Sequence, residues 1–226
     1  MGYSEKELKI IVEDGLKEIE SFYSKPFVNY KGRTTDEKNS YTEIVAEMVL
    51  KNWDKFEDIK SNTRKNSYKV GSHIGNLPKE TSNRNEERIA IQLFNQKFLT
   101  IGEIIDYQTP LKNISADNYG KVDLLMKSDS CLYFLELKDQ YSEESLLRCI
   151  LEGYTYSKIA DTDKLLKDFG LDESLSVKSA PLIFKGSTPY KHLNEERLFL
   201  NKLMKKIKQE VFIIEIIDSN FIVSKY

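Results

Sequence analysis

The chain reads as a mixed α/β domain preceded by a helical lobe, and three observations carry that reading. Short apolar stretches rich in β-branched and aromatic residues recur at 101–111, 122–126, 131–137, 180–184, 211–217 and 221–224, the signature of strands. Stretches with apolar residues three and four apart, the signature of helices, lie before and between them at 85–98, 142–159 and 193–207. The first eighty or so residues read as mainly helical.

Composition narrows the class. The 226 residues are 40% hydrophobic and 31% charged, ordinary for a chain that buries a core, so global disorder is not expected. A net charge of −2 argues against a protein that coats nucleic acid through overall basicity, but leaves room for a local basic surface. The two cysteines, Cys131 and Cys149, lack CxxC spacing and histidine partners. They are expected as small apolar fillers rather than zinc ligands or a disulfide, which fits a reducing cytoplasm. Early Glu5, Lys6 and Glu7 do not resemble a secretory signal. The apolar run near 211–217 is broken by Glu215 and far too short to span a bilayer, so no membrane partner is expected.

In chain order, Leu8, Ile11, Leu16, Ile19 and Phe22 form one stripe of a helix expected to end before Pro26. A polar connector follows, with Gly32 and no apolar period. Ser40 and Glu43 have capping-box spacing and would open a helix with Ile44, Met48 and Trp53 turned inward. Residues 60–84 then carry six basic side chains against the single acid Glu80, with Gly71, Gly75 and Pro78 marking a loop or hairpin. Arg64, Lys65 and Lys69 there are candidates for phosphate contact; a solvated loop is the alternative. The helix over 85–98 turns Ala90, Leu93, Phe94 and Phe98 inward. The strands over 122–126 and 131–137 form a hairpin through residues 127–130. The helix over 142–159 buries Leu146, Leu147, Ile150, Leu151 and Tyr154. The last two strands pair antiparallel around residues 218–220.

The chemistry concentrates in GKVDLLMKSDSCLYFLELKD, residues 120–139. Asp123 interrupts one apolar strand, and Glu136 and Lys138 share a face of the next because side chains alternate. Charged residues are rarely buried without partners, so strand-embedded acids demand an explanation. Two hard oxygen ligands, the Leu137 carbonyl and an ammonium at one sheet edge suit Mg²⁺, which prefers a few carboxylates, waters and phosphate oxygens. That combination is what phosphodiester hydrolysis requires. The competing reading is a cross-strand Asp123–Lys138 ion pair with Glu136 exposed. His73 and His192 have no partners at useful spacing.

The order of elements around these residues resembles the PD-(D/E)XK nuclease superfamily: an acid-bearing helix, three strands carrying Asp and then Glu-x-Lys, a helix and a further strand, over residues 85–185. The runs DYQTPLK, GKVDLL, LELK and LLRCILEGYTY look like a bacterial subgroup of it. The resemblance implies a restriction-endonuclease-like core over 81–226, a mixed central sheet flanked by helices, with residues 1–80 a separate helical lobe that it does not cover. It implies a Mg²⁺-dependent nuclease, with Mn²⁺ as substitute, acting on nucleic acid and foremost on DNA. Asp123, Glu136 and Lys138 become catalytic, with metal held by Asp123, Glu136 and the Leu137 carbonyl. Glu86, facing the sheet, becomes the helix acid, with Glu87 as fallback. Val122 stands where the motif's name has proline. Arg148 would face the site and hold a phosphate, against its ordinary reading as a helix ion pair with Glu152, and Gln108 would hydrogen-bond within the site. The rival readings are a catalytically silent nucleic-acid-binding module and a partner-docking subunit of a repair, restriction or defence system. A homodimer is compatible with cutting both strands.

Overall fold

Seven strands form one mixed sheet whose spatial order equals their sequence order. This is seen in a computed structural model that describes residues 2–77, 85–99, 101–113 and 120–226. The strands are β1 (Lys97–Phe98), β2 (Gly102–Pro110), β3 (Lys121–Lys127), β4 (Cys131–Lys138), β5 (Ser176–Phe184), β6 (Phe212–Ile217) and β7 (Asn220–Lys225). β1 to β4 pair antiparallel, β4 to β6 parallel, and β6 with β7 antiparallel. Short turns join β3 to β4 and β6 to β7. Between β6 and β7, Asp218 and Ser219 both have positive φ, the two-residue hairpin that follows strand twist.

Parallel neighbours need crossovers. The β4–β5 connection is α5 (Leu146–Ile159) and α6 (Thr162–Phe169); the β5–β6 connection is α7 (Thr188–Leu193) and α8 (Leu198–Lys206). Alternation divides β4 between two cores. Leu132 and Phe134 join Leu147, Leu151 and Leu203 on the crossover side. Tyr133, Leu135 and Leu137 join Ala90 and Leu93 of α4 (Asn85–Leu93) on the other.

The crossover-side core continues without a break into the N-terminal elements α1 (Glu5–Gly15), α2 (Tyr41–Lys51) and α3 (Trp53–Glu57), through Leu8, Phe22, Trp53 and Phe56. The first helix is shorter than its apolar stripe suggests. It stops at Gly15, against which the Phe27 ring packs so closely that an added Cβ would lie 2.5 Å from it. Two 3-10 turns, Ile19–Ser24 and Pro26–Asn29, then carry Phe22 and Phe27 inward. The capping box forms at Ser4 and Glu7, not at Ser40. Glu43 is used elsewhere: its carboxylate accepts from the Phe199 and Leu200 amides at 2.8 and 3.1 Å, capping α8 from another helix.

Three further boundaries differ from expectation. α4 ends at Leu93 because Asn95 turns left-handed, and Phe98 belongs to β1. The stretch over 193–207 is divided, with α7 ending at Leu193 and α8 beginning at Leu198. The unforeseen α6 has Asp161 as N-cap and left-handed Gly170 at its end. Among the described residues no helix is long and apolar enough to cross a membrane.

Candidate active site

The β3–β4 ladder runs from Lys127↔Leu132 to Leu124↔Leu135, and the strands part at the next position, where Asp123 would face Glu136. The Asp123 side chain takes over there. Its Oδ2 accepts from the Leu137 amide at 2.9 Å and its Oδ1 from Gln108 Nε2 at 2.9 Å. Gln108 lies on β2 between the pairs Tyr107↔Leu124 and Thr109↔Val122, with φ 49, a conformation that non-glycine residues seldom adopt. A strand residue turns its N–H and C=O to the same neighbour. With its N–H on Asp123, Leu137 therefore opens its carbonyl into the same gap.

Glu136 and Lys138 lie on the crossover side, 4% and 5% exposed. Lys138 Nζ is 2.7 Å from Glu136 Oε1, 3.2 Å from Glu144 Oε2 and 3.6 Å from Glu86 Oε2. Glu144 comes from the turn before α5, and Glu86 from the first turn of α4. One turn into α5, Arg148 stands 3.4 Å from Glu144 and 3.8 Å from Glu152. Tyr156 donates to Glu152 at 3.0 Å and shares a 3.1 Å contact with the Tyr23 hydroxyl, so the N-terminal turns buttress this side. The Tyr156 hydroxyl passes so close to Gly120 that a Cβ there would sit 2.0 Å away, and only glycine fits.

Acids outnumber cations in this pocket, and their protons report it. Burial pushes Glu86 up to about 7, with the Lys138 ammonium pulling back and Asp123 and Glu144 adding to the rise. Burial also raises Asp123 to about 6, against the pull of Lys138 and the Leu137 amide. Burial, then the charges of Asp123 and Glu152, holds Glu136 well above its ordinary value despite the adjacent ammonium. Burial alone would lower Lys138, but Glu136, Asp123 and Glu86 outweigh it and keep the lysine protonated.

The structure thus gathers Glu86, Asp123, Glu136, Lys138, Gln108 and Arg148. The competing reading of an Asp123–Lys138 pair with Glu136 exposed does not hold: the lysine's direct partner is Glu136, which is buried. Arg64, Lys65 and Lys69 lie on a loop of their own. Their loop is tied to the stretch after β2, where Arg64 donates to the Lys112 carbonyl and the Lys65 amide to Asn113, and to α6, where the Tyr68 amide donates to Asp168. Among the described residues, none of these three cations is a partner of Asp123, Glu136 or Lys138. Lys79 and Arg84 of the basic stretch, with Pro78 and Glu80, lie outside the described residues.

Sequence reasoning missed Glu144, which follows no periodic pattern. It also left His73 without a partner. His73 Nδ1 is 2.7 Å from Asp106, which accepts from Thr109 at 2.6 Å, a pairing between residues 33 apart in the chain. His192 accepts from the Leu146 amide, and burial with Arg197 nearby lowers it to about 4.

Among the described residues no three His, Cys, Asp or Glu side chains form a ready-made ligand set. Mg²⁺ needs less, one or two carboxylates completed by waters and substrate oxygens. Asp123, Glu136 and the Leu137 carbonyl form such an all-oxygen set. Beside it, Arg148 Nε is buried without a hydrogen-bond partner, and Glu144 Oε2 is ion-paired with the Lys138 ammonium. The donor chemistry therefore fits a hard divalent cation. No family model, curated protein or solved structure matches the chain.

Proposed function

We propose that this chain is a Mg²⁺-dependent nuclease with a restriction-endonuclease-like core, hydrolysing phosphodiester bonds in nucleic acid and foremost in DNA. The observation that carries the reading is the parting of β3 and β4 at Asp123, which collects two carboxylates, a carbonyl and a lysine in one gap. Asp123, Glu136 and the Leu137 carbonyl would hold the metal. When bound, Mg²⁺ would polarise the scissile phosphate and lower the pKa of an attacking water.

The side chains have distinct tasks. Lys138 enters protonated, so it neutralises charge developing on the phosphate rather than acting as base. Glu86, with a pKa about 7, is the group matched to accepting the proton of the attacking water near neutrality. Arg148 offers its Nε to a phosphate oxygen. Gln108 and the Leu137 amide fix the orientation of Asp123.

Purified protein with Mg²⁺ or Mn²⁺ should cleave single-stranded or duplex DNA. Asp123→Ala and Lys138→Ala should abolish cleavage while the circular dichroism spectrum stays unchanged. No cleavage of any DNA or RNA under these conditions would sink the enzymatic reading. One observation favours a catalytically silent module instead: Lys138 already sits among three carboxylates as their internal counter-ion. Titration with Mn²⁺ separates the two, since a silent module does not need Asp123 and Glu136 to bind the ion.

A further inference from the structure

On the other side of β4 from Lys138, a groove of about 220 Å³ opens between α4 and the β6–β7 hairpin. Asn85 and Asp139 line it, the immediate chain neighbours of Glu86 and Lys138, so groove and candidate active site share a rim. Tyr141, Phe184 and Phe221 supply aromatic walls, and Asn85 and Gln92 supply side-chain amides. Asp139, 8% exposed, accepts the Tyr141 amide at 2.9 Å and so fixes the turn that presents Tyr141. Tyr141 is 73% exposed, so its ring is available to a ligand at the groove's rim.

These features select an occupant. The Asp139 carboxylate and the Arg88 guanidinium both line the groove, so its charges balance and do not by themselves select an anion. Its volume is below the roughly 300 Å³ at which pockets for drug-sized ligands begin, which limits the occupant to a single small ring system. A neutral planar group bearing N–H donors satisfies the aromatic walls, the carboxylate acceptor and the amides together. Resting on the proposed nuclease activity, we infer that the groove holds one unstacked nucleobase of the strand whose phosphate lies at Lys138. Tyr141 stacks on the base, and Asp139 accepts from its exocyclic amine, as carboxylates do from cytosine. The preferred substrate is then a single strand or a frayed end, because a paired base cannot enter.

The test uses full-length protein carrying Asp123→Asn, so that bound strands are not cut, with Mg²⁺ present. Fluorescence anisotropy gives Kd for a single-stranded dodecamer of deoxycytidine and for an abasic dodecamer of the same backbone. The intact strand is expected to bind about tenfold tighter, the scale of one base stacked on an aromatic ring. Adding Tyr141→Ala should erase that advantage and leave the abasic strand unaffected, whereas Tyr141→Trp should retain it. The groove assignment is overturned if Tyr141→Ala weakens both strands equally or neither, or if neither strand binds. Tyr141-dependent binding by a protein that cleaves nothing in its native form overturns the nuclease reading alone. Cleavage with Tyr141-independent binding overturns the groove alone.

Discussion

The Asp123 carboxylate accepts the Leu137 amide at 2.9 Å, standing where the β3–β4 ladder would otherwise continue. A side chain that replaces a backbone partner holds the two strands together while keeping them apart. The gap thus forms where Asp123 stands in for the backbone, at the residue proposed as a metal ligand.

Replacing Asp123 by asparagine separates those two roles. The new amide can still accept from Leu137, and Gln108 can turn its own amide to accept the new N–H, so every bond survives. What disappears is a charge whose pKa burial has raised to about 6. Asp123→Asn is therefore expected to abolish metal-dependent cleavage yet stabilise the metal-free protein by about 1 kcal/mol, roughly 2–4 °C in Tm for a chain of this size. A fall in Tm would show that the carboxylate is a structural asset rather than a strained one.

The same raised acids set a pH dependence. Glu86 and Asp123 hold protons in the folded state to about 7 and about 6, whereas unfolded carboxylates release theirs near pH 4. Between those values the folded state binds more protons, so their contribution to metal-free stability declines as pH rises through about 4 to 7. Mg²⁺ needs Asp123 and Glu136 ionised, and both are raised, so the rise in Tm on adding Mg²⁺ should be small below pH about 6 and grow as pH rises above it. Thermal scans with and without Mg²⁺ across that range check both slopes, and a Mg²⁺ shift independent of pH would contradict them.

Much of this site is legible in the sequence because charge inside an apolar strand stands out. Asp123, Glu136 and Lys138 interrupt runs that otherwise bury completely, and helical spacing turns Glu86 toward the sheet. Glu144 is illegible for the opposite reason: it lies in a polar turn, where one more acid carries no signal, and only the fold brings it to Lys138. Local signatures also mislead when a distant group competes for them. Ser40 and Glu43 have capping-box spacing, as do Ser4 and Glu7, but the open N-terminus of α8 claims Glu43. The helix period over 85–98 continues in apolar residues past Leu93, and it is the left-handed Asn95, not a break in pattern, that ends α4.

Lys138→Met tests the internal counter-ion. Glu136 loses a partner 2.7 Å away inside the protein, and breaking a buried pair costs about 3–5 kcal/mol when the remaining charge persists. Glu136 already tends to keep its proton, so the loss in metal-free protein should be smaller, on the order of 2 kcal/mol. Mg²⁺ supplies the missing positive charge, and its addition should therefore raise the Tm of this variant more than that of the native protein. Cleavage should remain undetectable with or without added metal. Equal Mg²⁺ shifts in both proteins would show that lysine and metal do not act on the same carboxylates.

Glu43→Ala probes the fold without touching the pocket. The carboxylate caps α8 through two backbone amides, Phe199 and Leu200, and its negative charge lies against the positive end of that helix. Removing it leaves both amides without their acceptor, a loss of about 1 kcal/mol by comparison with other N-cap deletions, or a few degrees in Tm. Glu43→Gln keeps one acceptor oxygen and gives up the charge, so it should fall between native and alanine. Neither change alters the groups around Lys138, and cleavage below the melting range should stay at the native rate. If Glu43→Ala slows cleavage at a temperature where the variant is fully folded, the tie between α2 and α8 also positions the residues that do the chemistry.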